Sequence, residues 1–112
     1  MTAAISLPQQ VVAGTASITA GTTQTQAGAT LMTGMQNLVT TGNANDGVLL
    51  PKAGNGCVIA LVNLSAAALR IYPPTAGKLN GGTVNVHVTL TASKNAFAVY
   101  HSEVDATIIQ AA

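Results

Sequence analysis

The first 45 residues carry no charged side chain, and charge enters only at Asp46. Residues 2–41 are dominated by Thr, Ala, Gln, Gly and Ser. Side chains so short make a poor independent core, so this stretch gains order best by laying extended backbone against something else. The whole chain follows suit. Only 6% of its 112 residues are charged, while 48% are hydrophobic; ordinary soluble domains carry about 25% charged residues. Something is expected to cover part of the surface. With a formal net charge of +1 and four basic residues spread from Lys52 to Lys94, there is no electrostatic footprint for nucleic acid or anionic lipid.

The same composition bounds the class of protein. Disordered segments combine low hydrophobicity with high net charge, and this chain has neither, so it is expected to fold. Its length is that of one domain. The longest strictly apolar run, Cys57 to Val62, is far short of the ~18–20 residues that span a bilayer as a helix. The first basic residue is Lys52, which gives no positive segment for a secretory signal and implies synthesis in a cytoplasm. Cys57 is the only cysteine, so no internal disulfide or cysteine-based zinc cluster can form, and its apolar neighbours point to an inert buried thiol.

From Val11 onward the hydrophobic period is mostly two, the signature of half-buried strands. Val84, Val86, Val88 and Leu90 alternate with Thr83, Asn85, His87, Thr89 and Thr91, and this run is expected to be one continuous strand. Further strands are read at Val12–Ala20, Leu69–Tyr72, Ala96–His101 and Val104–Ile109. Cys57–Leu64 is apolar on both faces until Asn63, as expected of a strand covered on both sides by a second sheet and by a neighbouring subunit or the arm. Asp46-Gly47, Asn55-Gly56 and Asn80-Gly81 supply residues that tolerate positive φ in tight hairpin turns. Pro73-Pro74 ends the strand that reaches Tyr72. Ala29–Val39 has apolar residues at helical spacing, but Gly34 and its β-branched residues weaken a helix there against a loop leading into a strand at Asn37–Thr41. The fold class is therefore all-β, a compact sandwich or barrel of about seven or eight short antiparallel strands. Residues 1–10 read as an extended N-terminal arm, with Pro8 suited to an edge, and residues 11–112 as a single β domain.

Titratable chemistry is sparse. His101, Glu103 and Asp105 would share one face of a continuous strand and offer a nitrogen and two carboxylates to a divalent metal, but a polar, solvated strand edge or a loop after Tyr100 is the preferred reading, since nothing else is placed to complete the site. His87 reads as a surface residue among Asn and Thr. The Gly-rich pieces Gly54-Asn55-Gly56 and Gly81-Gly82 match no phosphate-binding pattern. With Phe97, Tyr72 and Tyr100 as the only aromatic residues, stacking platforms for nucleic acid or sugar are lacking. No catalytic, metal or cofactor residue is assigned, and no enzyme activity is expected.

Asn37-Leu38-Val39-Thr40-Thr41, Gly47-Val48-Leu49-Leu50-Pro51, Gly56, Val62-Asn63 and Ala67-Ala68-Leu69 with Ile71-Tyr72-Pro73 form a pattern, with Gln26-Ala27-Gly28-Ala29-Thr30 upstream. It resembles small virion proteins of tailed bacteriophages over roughly residues 20–100. The resemblance implies a capsid decoration (cement) protein on the capsid surface, bound to the major capsid protein as a homo-oligomer, a trimer by preference. A tail fibre, spike or head-to-tail adaptor module is the alternative. The family's usual closing strand bears a tryptophan, which His101–Ala112 lacks. On this reading the interface draws on Ile5 and Leu7 of the arm, on Val11 and Val12 where the domain begins, and on Ile59 and Leu61 of the doubly apolar strand. Deleting residues 1–10 is then expected to weaken capsid binding, measured by co-sedimentation, more than it lowers the melting temperature of the domain.

Overall fold

Every regular element among the described residues is a β-strand, in a computed structural model that describes residues 12–110. In chain order they are β1 (Val12–Thr19), β2 (Thr30–Leu31), β3 (Gly34–Thr41), β4 (Gly47–Leu49), β5 (Val58–Asn63), β6 (Leu69–Tyr72), β7 (Val88–Leu90), β8 (Asn95–Tyr100) and β9 (Ala106–Gln110). They form two sheets, a five-stranded one ordered β1-β3-β5-β8-β9 and a four-stranded one ordered β2-β4-β6-β7. The arm, residues 1–10, lies outside the described residues. Ala29–Val39 forms no helix. It is divided between β2 and the first part of β3, because its β-branched residues and Gly34 favour extended backbone once partners exist for it on either side.

The expectation of antiparallel strands is corrected. β1-β3, β3-β5, β2-β4 and β4-β6 are all parallel pairs; only β5-β8, β8-β9 and β6-β7 are antiparallel. Parallel neighbours cannot be joined by a tight turn and need a crossover. Here the crossover out of one sheet is a strand of the other. From β1 to β6 the chain alternates between the sheets strand by strand, winding as a short coil. Its advance in the five-stranded sheet is set by the pairings Thr15↔Gln36 and Gln36↔Ala60, that is 21 and then 24 residues. Period-two alternation specifies which side chains face inward, but the direction of pairing depends on where each connection goes.

This winding gives the turn residues a different task. Gly56 (φ +83°) closes the turn in which Cys57 N–H donates to the Gly54 carbonyl at 2.9 Å, and Asn80 and Gly81 (φ 56° and 69°) form a type I′ turn closed by Gly82 N–H to the Leu79 carbonyl at 2.9 Å. Both are corners rather than hairpins. Asp46-Gly47 is not a turn: the bend lies one residue earlier, at Asn45 (φ 68°), while the buried Asp46 carboxylate accepts the Asn43 N–H at 2.9 Å and Gly47 begins β4. Thr83–Thr91 likewise yields a strand only at Val88–Leu90. Asn85 adopts φ 65°, its side-chain oxygen accepts Ala76 N–H at 2.7 Å, and Val84 and Val86 stand exposed. The alternation there flanks a turn. β6 ends at Tyr72, immediately before Pro73-Pro74, as the missing proline N–H groups require.

One core lies between the sheets. Val39, Ile59, Leu61, Ala98, Tyr100 and Ile108 enter it from the five-stranded sheet, and Val48, Leu69, Ile71 and Leu90 from the other, with Met32 and Leu50 filling from the connections. Two asparagines are buried with them. Asn37 accepts Gly34 N–H at 3.1 Å and donates to the carbonyls of Gly34 at 2.8 Å and, across to β5, Ala60 at 3.3 Å. Asn63 accepts the Ser65 N–H and hydroxyl and donates to the Ala67 and Thr91 carbonyls. Each amide thus satisfies both its ends in a dry site, where an unmet partner costs more than the bond itself yields.

Asn63→Ala leaves the Ser65 N–H without its acceptor and removes one donor from each of the Ala67 and Thr91 carbonyls, and is expected to lower stability by about 2–4 kcal/mol in urea melts. At Gly77 an added Cβ would collide with the Val104 backbone carbonyl. Gly77→Ala is expected to be destabilising by a comparable amount.

Candidate functional site

The strand alternation sorts every side chain of the five-stranded sheet between the core and its outer surface. In β5, Ile59, Leu61 and Asn63 point in, while Val58, Ala60 and Val62 point out. In β8, Ala96, Ala98 and Tyr100 point in, leaving Asn95, Phe97 and Val99 outside. Pairing aligns these positions into rows. Gln36, Ala60, Phe97 and Ile109 are consecutive partners across β3, β5, β8 and β9, and Val58, Val99 and Thr107 form the row beside them. Val58, Phe97 and Ile109 are 43%, 49% and 54% exposed, enough to make a contiguous apolar patch on the antiparallel half of the sheet. The parallel half is polar and uncharged, with Thr15, Ser17, Gln36 and Thr40 exposed.

All seven charged side chains of the chain, Asp46, Lys52, Arg70, Lys78, Lys94, Glu103 and Asp105, lie outside the five strands of this sheet. The four-stranded sheet is different: the part of its outer face around Arg70 and Tyr72 is covered by the chain itself. Arg70 Nη1 donates to the Gln24 carbonyl at 3.2 Å and to the Tyr72 hydroxyl at 3.3 Å, and Gln26 Nε2 donates to the Pro73 carbonyl at 2.8 Å. These contacts fasten the β1-β2 connection over the sheet. His87 packs its ring against Tyr72, with centroids 5.4 Å apart, rather than standing on a strand surface. Burial, and secondarily the Arg70 charge, hold its pKa below the ordinary histidine value, so it is neutral at pH 7. Among the described residues no carboxylate is hydrogen-bonded to it, and a neutral imidazole without an orienting acid makes a weak general base.

The predicted interface residues are distributed differently from the expectation. Ile59 and Leu61 are fully buried in the chain's own core, because they occupy the inward phase of β5; their outward neighbours are the positions another molecule can touch. Ile5, Leu7 and Val11 lie outside the described residues. Val12 opens edge strand β1 opposite Gly34. Phe97 and Ile109, the large exposed apolar side chains of β8 and β9, are not among the sequence candidates. Their signal was present in the sequence, as bulky residues in counter-phase to Ala96, Ala98 and Tyr100, but the inward phase could be chosen only once β8 had a partner.

His101, Glu103 and Asp105 do not form a ladder. The strand stops at Tyr100, and His101 N–H turns back to the Asp105 carbonyl at 2.8 Å. His101 Nε2 is hydrogen-bonded to the Thr107 hydroxyl, and an Asp105 carboxylate oxygen accepts Lys78 N–H at 2.9 Å. The alternate-residue geometry that would aim three ligands at one ion is replaced by a connecting loop, and among the described residues no three His, Cys, Asp or Glu side chains come together in a metal-binding group. A groove of about 340 Å³ beside β2 and β4 is lined by Leu31, Leu49, Leu50, Lys52, Pro74 and Thr75, which include no carboxylate, imidazole or thiol. Burial pushes the half-buried Cys57 thiol up, and a backbone hydrogen bond at Val58 offsets this only in part. At neutral pH Cys57 is a thiol and a poor nucleophile.

Comparison of the chain with protein-family models, curated proteins and solved structures gives no match.

Tyr100 provides a pH test of the core behind this face. Its hydroxyl donates to the Pro51 carbonyl at 2.6 Å, and desolvation, with a smaller contribution from Cys57, raises its pKa far above the usual tyrosine value. Below about pH 10 the phenol is neutral in both folded and unfolded chains. Above it the unfolded chain ionises while the buried phenol does not, so stability falls as the pH rises further. Urea melts at pH 8 and 10.5 are expected to show this fall. Tyr100→Phe reduces the pH dependence while costing about 1–2 kcal/mol at pH 8 through the orphaned Pro51 carbonyl.

Proposed function

We propose that the protein is a non-enzymatic structural subunit of a larger particle, a capsid decoration protein of a tailed bacteriophage that binds the outer shell as a symmetric oligomer and stabilises it. The observation that carries the structural part of this reading is the outer face of the five-stranded sheet, free of charged residues and left uncovered by the other described residues. Burying an uncharged Thr or Gln requires only a hydrogen-bond partner, whereas an unpaired charge costs far more. A face without charges can therefore be covered again and again in a symmetric assembly without matching ion pairs at each contact. The scattered titratable groups agree with a role in which binding is the whole function.

The choice of particle is supported by the sequence pattern from Gln26 to Pro73 that resembles small phage virion proteins. The pattern coincides with the parallel coil: Asn37–Thr41 lies in β3, Gly47–Leu49 is β4, Val62-Asn63 closes β5, and Leu69 to Tyr72 is β6. The residues that carry the likeness are thus the ones that build the winding, including the buried Asn37 and Asn63.

Copy number per particle tests the proposal, by quantitative mass spectrometry of purified virions against the major coat protein. Decoration predicts on the order of one copy per coat subunit, as shell-wide symmetric attachment requires. A handful of copies would place the protein in the tail or at a unique vertex, and absence from the particle would overturn the phage reading.

A further inference from the structure

We propose that the outer face of the five-stranded sheet is where copies of this chain meet one another, each turning that face toward a common symmetry axis with Phe97 and Ile109 at the contact. The inference deepens the structural reading above and rests on it for its biological setting, while its test needs no particle.

The first argument is the contrast between the two sheets. The β1-β2 connection is fastened over the four-stranded sheet through Arg70, Gln24, Gln26 and Pro73, and Tyr72 on that face is only 5% exposed. Within the described residues no connection crosses the patch on the other sheet, where the apolar side chains stand about half exposed.

Area gives the second argument. Strands spaced ~4.8 Å apart, with five to eight residues each rising ~3.3 Å apiece, make a five-stranded face roughly 20 Å on a side, or about 400 Å² before side-chain relief is added. Two such faces brought together remove on the order of 1,000 Å², about the lower limit for a specific interface. Smaller patches would not reach it, and the four-stranded sheet, with strands of two to four residues, offers much less.

Chemistry selects the occupant. A partner recognised by charge would find nothing to pair with, since no charged residue stands on these strands. A second copy brings the same uncharged surface, so no like charges oppose each other under any rotation, and a symmetry axis through the Phe97-Ile109 row places ridge against ridge. The exposed Thr15, Ser17, Gln36 and Thr40 then form a rim whose hydrogen bonds need no ionic partners, the usual arrangement of an apolar centre and a polar margin. Packing is sheet on sheet, about 10 Å apart in a dimer, or three sheets facing inward around a trimer axis.

The test is light scattering on the size-excluded full chain over a range of micromolar concentrations, with the double variant Phe97→Asp, Ile109→Asp. The wild type is expected as a dimer or trimer. The variant is expected as a monomer with an unchanged far-ultraviolet circular dichroism spectrum, its self-association weakened by at least about 100-fold, because both substitutions place charge at the centre of the contact. Phe97→Lys provides a second route should the aspartates disturb β8. Thr89→Asp, exposed on the four-stranded sheet, is expected to leave the oligomer intact. A wild type that stays monomeric at the highest concentration would overturn the proposal. So would an oligomer that survives every charged substitution, or one lost on deleting residues 1–10 but not on charging Phe97. Failure here is separable from failure of the decoration reading. A monomer abundant in virions refutes only the self-contact, and an oligomer dispersed by Phe97→Asp but absent from virions refutes only the particle.

Discussion

Parallel pairing is the constraint on which the rest of this structure depends. A strand that lies parallel to its predecessor must be reached by carrying the chain back across the molecule, and this chain makes each return by way of the opposite sheet. The consequence is a short coil from β1 to β6 in which both sheets grow together and share one core. The antiparallel strands β7, β8 and β9 then extend the sheets at the side where the coil stops. Since every turn of the coil must close around the same interior, the inward positions are fixed two sheets at a time. Ile59 and Leu61 cannot be released to an outer surface without emptying the space shared with Leu69 and Ile71.

The polar groups inside follow from the same geometry. A chain that leaves one sheet for the other exposes backbone groups at each corner, and a buried corner needs partners for them. Asn37 and Asn63 supply these from the strands themselves, since an amide offers a donor and an acceptor side by side. Tyr100 does the same for Pro51 with its hydroxyl. These three residues combine core volume with hydrogen bonding, which a purely aliphatic interior could not provide at the ends of such short strands. Charge is kept at the margins: of the ionisable carboxylates only Asp46 is buried, and it caps the Asn43 bend.

The distribution of charge also links fold to role. A five-stranded sheet without a Lys, Arg, Asp or Glu side chain has no like-charge repulsion to prevent its outer face from being covered, and the apolar row through Phe97 and Ile109 makes that covering favourable. Part of the other sheet, around Arg70 and Tyr72, is already covered by the chain's own connection. The molecule is therefore asymmetric in a way that composition alone does not reveal: its polar economy is concentrated on one sheet, and its few charges surround the other sheet and the connecting loops.

The sequence by itself determined the class of structure. Period-two alternation, β-branched residues and Gly, Asn and Pro at the breaks exclude a helical fold, and the strands at Leu69–Tyr72, in β5 and in β8 were legible because each runs between clear stops. The poverty of charge was legible too, and with it the expectation of a covered surface. Tertiary structure alone decided three matters. Strand direction depends on where connections travel, which local pattern does not encode. The phase of an ambiguous strand such as β5, apolar on both faces, is chosen by the partner sheet, which is why Ile59 and Leu61 are core and Val58 is surface. Whether an alternating run stays extended depends on long-range bonds, and at Thr83–Thr91 the contact of Asn85 with Ala76 and Gln26 outweighs the alternation, just as the return of His101 to Asp105 dissolves the apparent metal ladder. Local periodicity records which side chains avoid water; only the closed core fixes what they meet.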